Sequence, residues 1–131
     1  DIGIVGCLSR KSSSKSQDSI IYKDKFEDLT TEALIYSNKI CNSSIMFKSE
    51  AFFWARKELD VKIPEWQYFV AEDYCMWLMI SSKFNIINMN FFGVDINVAQ
   101  NTLSRPQDVR AQVSYLESVL KMKIMLKPIN I

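Results

Sequence analysis

Apolar and polar positions alternate along the chain with two different periods. Ile2-Gly3-Ile4-Val5-Gly6-Cys7-Leu8 is a short β-branched run that predicts a buried strand. Ser9 to Ser19 is polar and basic, and reads as a flexible loop over 9–19. Asp24 to Ser37 mixes acids with Phe26, Leu29, Leu34, Ile35 and Tyr36, which predicts one short helix from Thr30 or Thr31. Ile40 to Phe47 alternates as a strand would, with Asn42 and Ser44 on one face. Ser49 is placed to cap a helix through Arg56, and Lys57 to Val70 is expected to be a loop carrying Pro64, Trp66, Tyr68 and Phe69.

Tyr74, Trp77, Leu78, Ser81 and Phe84 recur at helical spacing and predict a helix with one apolar stripe. Ile86 to Phe92 reads as a strand. Ser104-Arg105-Pro106-Gln107 has the spacing of a capping box, opening a C-terminal helix over 105–126. Val109, Val113, Leu116 and Leu120 share one face of that helix, a core or partner surface.

Composition narrows the chemistry. A length of 131 residues with 48% apolar content suits a single domain, 1–131, with a real core. A net charge of +1 gives no field to attract nucleic acid, and none is expected as a partner. The three cations of Ser9–Ser19 could meet a nucleotide or anionic lipid, although a solvated loop is the commoner outcome for so short a run. No apolar run approaches the roughly 18 residues of a membrane helix. Cys7, Cys41 and Cys75 include no Cys-x-x-Cys, and there is no histidine, which disfavours zinc and removes Ser-His and Cys-His nucleophile pairs. The three thiols are expected to be reduced, buried small hydrophobes. Gly3 and Gly6 fit neither Gly-x-Gly-x-x-Gly nor a Walker pattern, and read as strand glycines. Carboxylate, lysine and tyrosine remain for acid–base work.

The carboxylates in question are Glu72 and Asp73, at the start of the predicted central helix. Exposed N–H groups and the helix dipole favour negative charge there, so a general base and a plain acidic helix start are both open, the latter being the commoner. Trp66 could offer its ring to a sugar's C–H face or anchor its loop in the core. Asn42 and Ser44 could bond a sugar or the backbone of a loop.

Three segments in order, Asn42-Ser43-Ser44-Ile45-Met46-Phe47-Lys48, Glu72-Asp73-Tyr74-Cys75-Met76-Trp77-Leu78 and Asn101-Thr102-Leu103-Ser104, resemble family 2 glycosyltransferases. The resemblance implies an α/β fold, a partial GT-A-like domain with a mixed sheet flanked by helices. It implies transfer of a sugar from a nucleotide sugar to a glycan or glycolipid hydroxyl with inversion. Asp73 would be the base, and Glu72, Trp66, Asn42 and Ser44 would bind substrate. A divalent metal, Mg or Mn, would serve the full-length enzyme, with none expected on this chain, which has no Asp-x-Asp. Ile96-Asn97-Val98-Ala99 stands where the family often has Tyr-Arg-x-His. The match is to the downstream, acceptor-side half of the catalytic domain, so an upstream nucleotide-binding half is expected to precede Asp1. Bacterial polysaccharide or glycolipid synthesis, a cytoplasmic or membrane-peripheral location, and self-association through uncovered strand edges complete the expectation. A non-catalytic module using the same half-fold for glycan or protein binding is the alternative.

Overall fold

A computed structural model describes residues 1–13, 16–21, 29–36, 38, 40–69, 71–97 and 108–126, the side chains of 10–13, 16–21, 96–97 and 125–126 excepted. The chain is mixed α/β, a mixed sheet flanked by helices. Strand β1 (Ile2–Ser13) is the hub of the sheet. Along one edge it pairs in parallel with β4 (Asn85–Asn97), from Ile2↔Asn85 to Ser12↔Asn97. Its other edge takes two antiparallel strands in succession. These are β3 (Ile45–Phe47), opposite Ile4 to Gly6, and β2 (Ser16–Ile21), opposite Arg10 to Ser13.

Gly3 and Gly6 are strand glycines, as read from the sequence, and the structure supplies the reason. A Cβ at Gly3 would stand 2.6 Å from the Phe84 Cβ, and one at Gly6 would strike the side-chain amide of buried Asn88. Gly3 lets β1 approach Phe84, just before β4, and Gly6 lets it approach Asn88 within β4.

The expected flexible loop over 9–19 is not a loop. β1 continues to Ser13 and β2 begins at Ser16, with a register shift between Lys11 and Ser13; Ser14 and Lys15 lie outside the described residues. Ladder hydrogen bonds use backbone groups, so a polar, basic segment pairs as readily as an apolar one once β4 supplies a partner at Ser9–Ser12.

Helix α1 (Thr31–Tyr36) begins where the sequence placed it, with the Ala33 N–H donating to Thr30 Oγ1 at 3.2 Å. The expected strand over Ile40–Phe47 is only half present. Asn42–Ser44 is a 3-10 turn, so Asn42 and Ser44 do not share a strand face, and only Ile45–Phe47 pairs. Helix α2 (Ser49–Lys62) reaches well past Arg56 into the expected loop. Ala51, Ala55 and Leu59, four residues apart, give it a continuous buried face; Lys62 pairs with Glu58 at 2.7 Å. It stops at Ile63, whose N–H donates to Leu59 O, immediately before Pro64. Its N-cap is Lys48 rather than Ser49, without a side-chain cap bond.

Helix α3 (Glu72–Ser81) corrects the expected single stripe: every residue from Tyr74 to Ile80 is buried. The two alanines of α2 allow close approach on one side, and α1, α4, β1 and β4 take up the others. A helix apolar all round can only be central. The Tyr74 hydroxyl donates to the Leu34 carbonyl and fastens α3 to α1. Trp77 Nε1 is buried without an acceptor among the described residues.

Helix α4 (Val109–Leu126) is capped by Asp108, whose Oδ2 accepts the Ala111 N–H at 3.0 Å; the proposed Ser104–Gln107 box lies outside the described residues. Met122, with Tyr115 and Val119, packs on the core. The stripe of Val109, Val113, Leu116 and Leu120 is exposed on the other side. All three cysteines are free, but only Cys75 is buried; Cys7 and Cys41 are half-buried, which narrows the expectation for the thiols. No described helix is long and apolar enough to cross a membrane.

Candidate functional site

The start of α3 and the end of α2 meet at a short 3-10 turn, Trp66–Tyr68. Asp60, near the end of α2, organises that turn. Its Oδ1 accepts the Trp66 indole N–H at 2.7 Å and the Gln67 amide at 3.3 Å. From the other side, Glu65 pairs with Lys121 of α4 at 3.0 Å, and the Lys121 ammonium stands 5.8 Å from the Phe69 ring centroid. A backbone hydrogen bond at Glu65 and the Lys121 ammonium together hold the Glu65 carboxyl below its ordinary pKa.

These ties build a pocket of about 160 Å³, lined by Phe52, Arg56, Trp66, Gln67 and Glu72. Phe52 and Arg56 stand one helical turn apart on α2 and share its face toward the turn. Two of the residues expected from sequence, Glu72 and Trp66, are thus brought together. Trp66 is only 7% exposed, so most of its ring anchors the turn in the core and only part of it reaches the pocket. Tyr68, also on this turn, is 88% exposed.

Asp73 is half-buried and does not line the pocket, although it follows Glu72 directly. Its Oδ1 accepts the N–H of Tyr74 at 2.6 Å, one of the donors a helix start leaves without a partner. Among the described residues its second oxygen makes no such bond. Asn42 and Ser44 lie elsewhere. Asn42 is exposed on its 3-10 turn, and the Ser44 hydroxyl donates to the Cys41 carbonyl at 2.8 Å, a backbone-loop role. Asn101 and Ser104 fall outside the described residues.

Sequence reasoning missed Phe52, Arg56 and Gln67. The signal for the first two was their i, i+4 spacing, which required knowing that the helix faces the tryptophan turn. A larger pocket of about 390 Å³ opens at the other end of α3, among Thr30, Thr31, Ser81, Asn85 and the surrounding apolar residues. Ten residues of helix separate the two, about 15 Å. Among the described residues the larger pocket has no charged lining, and its Ser81 hydroxyl is committed to Leu78 O at 2.7 Å and to the Thr31 hydroxyl at 2.9 Å. Among the described residues it offers no carboxylate, lysine or tyrosine for proton transfer, whereas the smaller site has Glu72.

Among the described residues, no group of three or more histidine, cysteine, aspartate or glutamate side chains is placed to hold a metal ion. The smaller site can therefore offer one carboxylate, one guanidinium, one amide and an aromatic wall to an organic ligand. Compared with known proteins, the chain matches no family model, no curated protein and no solved structure.

Proposed function

We propose that this chain is the acceptor-side half of an inverting, family 2-like glycosyltransferase with a GT-A-like fold. In this reading Asp73 deprotonates an acceptor hydroxyl, which then displaces the nucleoside diphosphate from the donor sugar in a single in-line step. One base suffices for that reaction, and a histidine-free chain can provide it. The observation that carries the reading is the meeting of Glu72 and Trp66 in one pocket beside Asp73, at the N-terminus of α3. Glu72 and Trp66 would hold the acceptor. A nucleotide sugar, a divalent metal (Mg or Mn) and a glycan or glycolipid acceptor belong to the longer enzyme, at the cytoplasmic face or peripheral to a membrane. Exposed Val109, Val113, Leu116 and Leu120 support the expectation of self-association.

One observation favours the second reading, a non-catalytic glycan- or protein-binding module: Asp73 turns one carboxylate oxygen to its own helix and stays out of the pocket lining. Transfer assays separate the two. The chain joined to an upstream half bearing Asp-x-Asp is expected to move sugar from a nucleotide sugar, whereas the chain alone shows no transfer and only weak nucleotide binding. Tight, metal-dependent nucleotide-sugar binding by the chain alone would contradict the half-domain reading. A longer protein inert toward every donor in a nucleotide-sugar panel would favour the binding module.

A further inference from the structure

Arg56 and Glu72 line the same pocket, yet they are not ion-paired with each other, and Arg56 has no ion-pair partner among the described residues. Elsewhere the described lysines near carboxylates close such pairs readily, as Lys48 does with Asp1 and Glu50. An unmatched guanidinium beside an aromatic wall is suited to a planar anion on an otherwise apolar-faced ligand.

We infer that the pocket takes a carboxylated sugar ring as its acceptor unit, an inference that rests on the glycan reading of this site. The guanidinium of Arg56 receives the carboxylate in a two-point grip. Trp66 and Phe52 face the ring's C–H surface, while Gln67 and Glu72 accept and donate to its hydroxyls as each group's chemistry allows. Size limits the ligand: about 160 Å³ is below the roughly 300–1,000 Å³ of pockets for drug-sized molecules, so one ring fills it. Charge chooses between anions. The Glu72 carboxylate repels a phosphate dianion more strongly than a singly charged carboxylate at the same place.

The test is titration of the chain with glucuronate, glucose and inorganic phosphate, followed through the indole N–H signal of Trp66 in nitrogen-correlated NMR spectra. Glucuronate is expected to shift that signal with a Kd about tenfold or more below that of glucose, and Arg56→Gln to erase the difference. Arg56 is exposed, so the variant keeps the fold. Equal binding of glucose and glucuronate, unchanged by Arg56→Gln, would overturn the acidic-sugar assignment while sparing the glycan reading. Phosphate binding as well as glucuronate would reduce the site to a plain anion site and also overturn it. No shift with any of the three overturns it outright. Glucuronate binding in a longer protein that transfers no sugar would remove the transferase reading, and the acceptor role with it, and leave the acidic-sugar site standing.

Discussion

The Trp66 indole N–H and Asp60 Oδ1 stand 2.7 Å apart, joining the tryptophan turn to the end of α2 six residues earlier. The bond fixes which part of the ring reaches the pocket, because the indole nitrogen is held at the α2 side. A hydrogen bond to a charged acceptor contributes about 1.5–3 kcal/mol, less where solvent reaches it, as it does exposed Asp60. Asp60→Ala should therefore cost about 1–2 kcal/mol in urea unfolding. It should also shift the Trp66 indole signal in NMR spectra. An unchanged indole signal would show that packing alone places the ring.

Truncation should separate the two kinds of apolar surface. Leu78, fully buried in α3, should lose about 2–5 kcal/mol as Leu78→Ala. Leu116, 64% exposed on α4, should lose under about 0.5 kcal/mol as Leu116→Ala, measured where the chain is dilute enough to be monomeric. A large loss at Leu116 under those conditions would mean that its stripe faces a core.

Alkaline pH should weaken the fold through α3. Burial, with the neighbouring Tyr115 phenol as the lesser cause, pushes the Tyr74 phenol up to about 12; burial alone pushes the Cys75 thiol up to about 12. Both groups are raised, so the folded chain favours their protonated forms. Their stabilisation is complete below the ordinary values of 9.0 for the thiol and 10.0 for the phenol, and is lost as pH climbs toward 12. Each group costs about 1.4 kcal/mol per pH unit within its window. Urea unfolding at pH 8 and pH 11.5 should show a fall that is smaller in Tyr74→Phe, because one of the two titrating groups is gone. The same fall in both proteins would assign the effect to other groups.

Much of this architecture could be read from the chain. α3, β4 and the apolar face of α4 follow from apolar spacing, α1 and the early part of α2 from their polar starts near Thr30 and Ser49, and Gly3 and Gly6 read as strand glycines. The misreadings have a common cause: the deciding partner is distant in sequence. Lys11 and Ser12 look like loop residues until β4 arrives more than eighty positions later to pair with them. The end of α2 looks like loop until Leu59 is seen to be buried in the core. A period of 3.6 finds an apolar stripe on α3, but cannot tell that the intervening Cys75, Met76, Met79 and Ile80 are also enclosed. At the site, Glu72 and Trp66 were legible because helix starts and tryptophan turns carry local signals. Arg56 was not, since its role depends on where α2 points. Asn42 and Ser44 were drawn in by a strand pattern that the 3-10 turn breaks.

The position of Asp73 is the central claim, and its two roles predict opposite results. Asp73→Asn keeps the side chain's size and its carbonyl acceptor for the Tyr74 N–H, but removes the ability to take a proton. The decisive measurement is turnover of the chain joined to an upstream half bearing Asp-x-Asp and carrying Asp73→Asn, beside Glu72→Gln as the control. As the base, Asp73 should account for about 10²–10⁴-fold of turnover with donor binding nearly unchanged, while Glu72→Gln acts mainly on acceptor affinity. Nearly intact turnover in both variants, together with a stability loss of about 0.3–1 kcal/mol for Asp73→Asn, would contradict the account and leave Asp73 as a helix-start carboxylate.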